Sequence, residues 1–216
     1  MKVALIGATG FVGGSVLTEL TSRGHEVTAI ARDITTIPAN PLITPKTGNA
    51  LDPEQVASLV AGHDAVISAY NGGWANPNIY ADHLNGSIAI QSGVKAAGVK
   101  RFITLGGAGS LEIAPGLQLI DTPEFPAEYK PGASAAREYL NIIKQEDELD
   151  WTFLSPSIEM HPGLPHQRTG QYRTGLDNPV FDEKGRSTIS VEDLAVAIVD
   201  ELEKPQFIKK RFTVAY

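Results

Sequence analysis

The residues best suited to chemistry lie near the start of the chain. In Gly7-Ala8-Thr9-Gly10-Phe11-Val12-Gly13, three glycines recur with two residues between them. The apolar run Val3-Ala4-Leu5-Ile6 leads into this turn, and a helix-patterned stretch, Phe11–Ser22, leads out of it. Between a strand and a helix, the first glycine permits a tight turn. The second lets backbone N–H groups approach a pyrophosphate, and the third lets helix and strand pack closely. The helix N-terminus adds unpaired donors and a partial positive charge. The chemistry on offer is capture of a dinucleotide by main-chain amides. The next apolar run, Val27-Thr28-Ala29-Ile30-Ala31, ends at Arg32. A guanidinium there suits a ribose 2′-phosphate and favours NADP over NAD, whose 2′-hydroxyl is usually met by an acidic residue. Asp33 follows directly, and it reverses that preference if the strand ends one residue later.

The elements that must carry these residues alternate. Strand patterns fall at Lys2–Ile6, Glu26–Ala31, Ala65–Ala69, Arg101–Leu105, Trp151–Leu154 and Arg211–Ala215, with a short extended piece at Leu42–Thr44. Helical patterns fall at Phe11–Ser22, from Asp52-Pro53-Glu54 to Ala61, and at Ile79–Ala97, Ala133–Glu146 and Val191–Glu203. Asp52 is an N-cap with proline at the first helical position, and Gly24 and Gly98 suit helix C-termini. Strands that are apolar throughout and alternate with helices predict a doubly wound, parallel α/β sheet covered on both faces: a Rossmann-like single domain. The alternation loosens twice. Ala114–Pro131 holds four prolines and reads as a long loop, and residues 155–185 read as a small irregular C-terminal lobe on the substrate side.

Composition removes several classes of function. The 216 residues carry 18 Lys+Arg against 25 Asp+Glu, a net charge of −7. That balance argues against nucleic acid as a partner. The longest basic run, Lys209-Lys210-Arg211, reads as a solvated patch. Cysteine is absent, which excludes disulfides, thiolate metal sites, iron–sulfur clusters and cysteine nucleophiles. No apolar run reaches the roughly 20 residues that span a bilayer. Val3–Ile6 is also shorter than the about 7–15 residues of a signal-peptide core. The expectation is a cytoplasmic protein with no membrane partner. No metal is expected, because His161 and His166 lack a carboxylate–histidine arrangement of known metal spacing. His25, His63 and His83 read as surface or helix-end residues. Glu146, Asp147, Glu148 and Asp150 read as a solvated acidic corner opposing a helix dipole.

Further segments narrow the class. Gly7–Gly13, Arg32, Asn49-Ala50-Leu51-Asp52 and Ala65–Ala69 resemble the atypical short-chain dehydrogenase/reductases. Three later stretches are similar to the NAD(P)H-binding group that includes NADH-flavin reductases and biliverdin-IXβ-reductase-like proteins. These are Val99–Ile103 with Gly106-Gly107-Ala108-Gly109-Ser110, Asp150–Ser157, and Ile189–Ala195. The resemblance covers nearly the whole chain and implies a set of contacts. Thr9, Gly10, Phe11 and Val12 would face the pyrophosphate through their amides. Asn49 stands where relatives carry Asp beside the adenine, keeping an acceptor while dropping a charge, and Ala50 would offer its backbone there. Ser68, Ala69 and Tyr70 would end the strand under the ribose and nicotinamide. Gly106 and Gly107 would end the next strand near the nicotinamide, and Pro156 and Ser157 the strand that holds the cofactor amide. All are C-terminal strand ends, where open α/β sheets bind ligands.

Short-chain dehydrogenases use a Tyr-x-x-x-Lys pair, in which the lysine lowers the tyrosine pKa for proton transfer. Four residues after Tyr70, Tyr80, Tyr129, Tyr139 and Tyr172 stand Trp74, Leu84, Ala133, Ile143 and Leu176, and none is lysine. No catalytic residue is assigned, which weighs against alcohol dehydrogenation and sugar epimerisation. A flavin or linear tetrapyrrole can do without the pair. It takes a hydride at one atom, spreads the charge and draws its proton from water, so positioning supplies the rate. Candidate acceptor contacts are Asn71 and Trp74, in a loop read as flexible over the nicotinamide, Tyr129 at the family's tyrosine position, and His161. Trp74 either stacks on a flat ring or packs, and His161 is either a donor to the acceptor or a surface residue. The expected function is NADP(H)-dependent reduction, with NAD possible as the cofactor and flavin as a possible substrate. The alternatives are a non-catalytic NAD(P)-binding sensor that signals to a partner protein, and an isomerase or dehydratase with a tightly held cofactor. The helices at Ile79–Ala97 and Ala133–Glu146 are where relatives often dimerise, yet monomers also occur among them, so monomer and homodimer both stay open.

Overall fold

The computed structural model describes all 216 residues. In chain order the elements are β1 (Lys2–Ile6), α1 (Phe11–Ser22), β2 (Glu26–Ala31), β3 (Ile43–Thr47), α2 (Pro53–Val60), β4 (Ala65–Ser68), α3 (Ile79–Ala96) and β5 (Arg101–Leu105). They continue with β6 (Glu112–Ala114), β7 (Leu117–Gln118), α4 (Lys130–Ile143), β8 (Asp150–Ser155), β9 (Arg173–Gly175), α5 (Val191–Glu203) and β10 (Lys210–Ala215). Eight strands form one sheet in the order β3-β2-β1-β4-β5-β8-β10-β9, all parallel except β9, which runs antiparallel to β10. The chain moves outward from β1 in one direction, then returns to β4 on the other side. This switch point between β1 and β4 is where a doubly wound sheet opens a ligand crevice.

Alternation along the strands divides the core in two. Val3 and Leu5 of β1 pack with Val16, Leu20, Leu194 and Ile198 of α1 and α5. Ala4 and Ile6 face the other way, with Val56, Ile90 and Tyr139 of α2, α3 and α4. The single-domain Rossmann-like architecture matches the sequence pattern, and the differences are local. The extended piece at Leu42–Thr44 lengthens into β3, an edge strand that tolerates Pro45 opposite Ala29. Helix α4 begins at Lys130, with Pro131 in its first turn, and stops at Ile143. The Pro-rich loop contains β7, which pairs with β6. The irregular lobe contributes β9. Strands of two or three residues carry no periodic signal.

Several polar residues read as solvated are buried. His25 lies between the N-terminal ammonium (3.2 Å from Nδ1) and Glu203 (2.8 Å from Nε2). His63 is half-buried, its Nε2 meeting Thr28 Oγ1 at 2.7 Å. Glu146 is buried and receives Lys95 and Gln91, each at 3.0 Å, and the Glu148 N–H at 2.7 Å. Burial alone would raise its carboxyl pKa, yet these donors pull it down to about 2. The carboxylates of Glu146, Asp147 and Glu148 lie within 4.8 Å of one another, but the Lys95 ammonium already bridges Glu146 and Glu148. Arg211 is buried against Asp177, whereas Lys209 and Lys210 are exposed.

Candidate functional site: a dinucleotide crevice with an aromatic rim

Gly7, at φ 82°, turns the chain off β1. Its N–H and that of Ala8 both donate to the Ile30 carbonyl, at 2.9 and 3.2 Å. A Cβ on Gly7 would stand 2.7 Å from the Ala69 carbonyl oxygen, and one on Gly13 would stand 1.9 Å from the Gly7 carbonyl oxygen. These two glycines close backbone against backbone. Gly10, the N-cap of α1, is different: a Cβ there meets only the Gly7 carbonyl oxygen, at 3.3 Å. Its missing side chain leaves open space at the helix end. Helix α1 has no side-chain cap, and no protein acceptor takes the amides of Thr9, Phe11, Val12 or Gly13. Free donors at an uncapped helix start, beside open space, fit a pyrophosphate.

Arg32 leaves β2 exposed and unpaired. The Asp33 carboxylate accepts from the Thr35 N–H (2.9 Å) and hydroxyl (2.7 Å), which hold it below the usual carboxylate range. Beyond β3, Ile6, Ile30, Val56 and Leu59 wall an apolar slot rimmed by Gly48, Asn49 and Ala50. The Asn49 side-chain oxygen already accepts from the Leu51 N–H at 3.1 Å. One lone pair of that oxygen stays available, and the Asn49 NH2 group has no protein partner.

At the end of β4 the Ala69 N–H donates to the Ile6 carbonyl at 2.9 Å, which sets Ser68, Ala69 and Tyr70 beside the glycine turn. The Tyr70 hydroxyl donates to the Asp82 carbonyl at 2.9 Å, and its ring stacks on His83 at 5.9 Å. Burial drives the His83 imidazole down to a pKa of about 4, so it stays neutral at ordinary pH. Gly106 and Gly107 follow β5. The Phe153 ring fills the place of a Gly106 Cβ, 1.9 Å away, so that glycine also serves packing. Pro156 and Ser157 are buried after β8, and the Ser157 hydroxyl has no protein partner. A buried hydroxyl left unpaired at a strand end fits a ligand amide.

The acceptor candidates come from separate loops, and two of them meet. Trp74 and Tyr129 contact edge to face, 5.4 Å between centroids at 82°. The Trp74 ring also abuts Gly132 of α4, where a Cβ would stand 2.9 Å from Cζ3. The loop expected to be flexible is tied by hydrogen bonds. Asn71 Oδ1 accepts from the Gly73 N–H at 2.7 Å. The Asn76 amide donates to the Gly72 carbonyl (3.0 Å) and to Asp82 (2.7 Å). His161 is exposed, its Nδ1 accepts from the Gly163 N–H at 3.1 Å, and no contact joins it to the aromatic pair. The pattern had not shown the Tyr70–His83 stack, because its partners lie on different elements.

The lobe is anchored on the far face of the sheet. Arg168 grips Glu19 with two hydrogen bonds of 2.7 Å. Asp193 accepts from the Thr169 N–H (2.9 Å), the Thr169 hydroxyl (2.6 Å), the Gly170 N–H (2.7 Å) and the Tyr216 hydroxyl (2.7 Å).

Uncapped amides over a glycine turn at the switch point of a doubly wound sheet define a Rossmann dinucleotide-binding protein. Residues 7–205 match the model of the NAD(P)H-binding family, and the chain belongs to that family. The uncharacterised Bacillus subtilis protein YwnB is 41% identical over 217 residues, 99% of this chain and 98% of its own. A Bacteroides thetaiotaomicron structure, described provisionally as an epimerase, shares 45% identity at TM-score 0.91, over 100% of this chain and 96% of that one. A Streptococcus pneumoniae structure, described provisionally as an NADH-flavin reductase, shares 36% identity at TM-score 0.87, over 100% and 99%. The family is oxidoreductase-like and binds NAD(P)H. No helix is long and apolar enough to cross a membrane.

Proposed function

We propose that the protein transfers hydride from NADPH to a planar conjugated acceptor, a flavin foremost, seated against Trp74 and Tyr129. The supporting observation is this aromatic pair, 58% and 48% exposed, at the C-terminal side of the sheet. Leaving that much aromatic surface in water is unfavourable, and a flat ring stacked on it recovers the cost. Bound NADPH supplies the hydride, and the chain's task is positioning. In this reading the amides of Thr9, Phe11, Val12 and Gly13 hold the pyrophosphate, the Gly10 N–H being taken by the Gly7 carbonyl at 3.0 Å, and Arg32 holds the 2′-phosphate. Asn49 and Ala50 meet the adenine, and Ser157 meets the cofactor amide. Asn71, His161 and the lobe at residues 155–185 border the acceptor. The proton comes from water, since the chain has no Tyr-x-x-x-Lys pair.

The test is nicotinamide oxidation with and without free flavin, using NADPH and NADH at equal concentration. Flavin-dependent oxidation that is faster with NADPH is expected. Arg32→Ala should weaken NADPH binding about tenfold, a loss of ~1.4 kcal/mol, and leave NADH binding unchanged. Faster oxidation with NADH would overturn the Arg32 assignment. Tight cofactor binding without oxidation would favour the second reading, a non-catalytic NAD(P) sensor, which the missing Tyr–Lys pair also suits.

A further inference from the structure

The far end of the sheet concentrates positive charge. Lys144 at the end of α4, Lys209 just before β10, and Lys210 and Arg211 within it line a cleft of about 200 Å³ together with Trp151, Leu176 and Asp177. Four cations meet a single carboxylate there, on a chain whose net charge is −7. The cleft opens at the N-terminal ends of β8 and β10. The glycine turn lies at the C-terminal ends, roughly 16–20 Å away along strands of this length.

Arg211 is already balanced. Its Nε and Nη2 donate to Asp177 Oδ1 at 3.0 and 2.5 Å, and its Nη1 donates to the Ser110 carbonyl and hydroxyl at 3.3 Å. The three lysines are not. None forms an ion pair; Lys209 Nζ donates only to the Asp147 carbonyl, at 2.6 Å. Ammonium groups gathered around one cleft repel one another unless an anion joins them. The backbone supplies an independent sign. Lys209, at φ 56°, is the one non-glycine residue in the left-handed region, and its N–H is fixed to the Trp151 carbonyl at 2.6 Å. Such strain persists where the surroundings over-determine it and gathers at ligand sites.

We propose that this cleft binds a compact phosphate-bearing polyanion, held by Lys144, Lys209 and Lys210. Its volume, below the ~300–1,000 Å³ typical of pockets for larger organic ligands, suits a compact anion better than a dinucleotide. Lysine serves such a ligand as a point charge. The proposal is independent of the function assigned to the glycine turn.

Trp151 provides a local reporter, because the chain has only two tryptophans and Trp74→Phe leaves Trp151 alone. Titration of the Trp74→Phe protein with inorganic pyrophosphate, at ionic strength held by sodium chloride, should give a saturable change in Trp151 emission. Lys144→Gln/Lys210→Gln should weaken it at least tenfold, whereas Gly10→Val should leave it intact. No saturable change would overturn the proposal. So would a response that survives the lysine substitutions, or one lost in Gly10→Val, which would locate the anion at the glycine turn.

Discussion

The glycine turn presents main-chain amides and three glycines, while the proposed acceptor side presents Trp74 and Tyr129 from loops some fifty residues apart in the chain, and the lobe is tied down by Asp193 and Glu19 on the far face of the sheet. The turn gains its chemistry from what is missing: no Cβ on Gly7 or Gly13 to separate two backbones, and no side chain on Gly10 to occupy the helix start. The proposed acceptor side would gain its chemistry from what is added, aromatic surface brought together by the fold. A site made of absences tolerates almost no substitution. A site made of side chains loses affinity by degrees. The predictions below test that division.

The largest effect belongs to Gly13→Ala. The new Cβ would sit 1.9 Å from the Gly7 carbonyl oxygen, so α1 must shift away from β1. A loss of about 4 kcal/mol or more is expected, together with loss of NADPH binding, read by thermal melting and titration. Gly10→Val separates packing from ligand space. Its Cβ has room at 3.3 Å and its φ of −75° suits any residue, so the melting temperature should hold within a few degrees while NADPH affinity falls. Equal damage to the fold by both substitutions would mean that Gly10 is also a packing glycine.

Asp193→Ala should act on the other region. This carboxylate is fully buried, which raises its pKa, yet donors from Thr169, Tyr216 and Gly170 hold it below the usual range. Removing it strands those donors, at a cost of about 3 kcal/mol. The lobe should become cleavable at Arg168 by trypsin, with NADPH affinity unchanged. A parallel fall in NADPH affinity would show that the lobe and the turn are one cooperative unit.

The same division explains what the amino-acid pattern revealed. The turn was legible because its residues are neighbours in the chain, and strands β1, β2, β4 and β5 because their apolar runs are local. The short strands β6, β7 and β9 carry too few residues to show a period. His25, Glu146 and Arg211 read as solvated because their partners are distant: Glu203 for His25, Lys95 for Glu146, and Asp177 for Arg211. A polar residue's burial depends on contacts that composition does not encode. Trp74 and Tyr129 were each recognisable as candidates, but their contact arises from the way α3 and α4 pack.

His83 lies where the two regions meet, beneath Tyr70, and sets an intermediate effect. Its folded pKa of about 4 lies below the ordinary 6.5. The unfolded chain therefore takes up a proton as pH falls through 6.5, while the folded chain does not until about 4. The stability present above pH 6.5 is lost over that window, by about 2 kcal/mol at pH 5. His83→Phe keeps a ring against Tyr70 and removes the titration, so its melting temperature should fall less between pH 7 and pH 5. Parallel curves for the two proteins would place the acid sensitivity elsewhere.

The smallest effect is the most informative about the acceptor. Edge-to-face aromatic contacts and stacking on a flat ring are each worth roughly 0.5–1.5 kcal/mol. Trp74→Ala and Tyr129→Ala should each raise the KM for flavin about fivefold and leave the NADPH dissociation constant unchanged. Because the two rings touch, the double variant should lose less than the sum of the two. An unchanged flavin KM would reduce the pair to packing and move the acceptor away from it. A change in NADPH affinity instead would carry the aromatic rim over to the cofactor side, and the boundary drawn between amides and side chains would have to move with it.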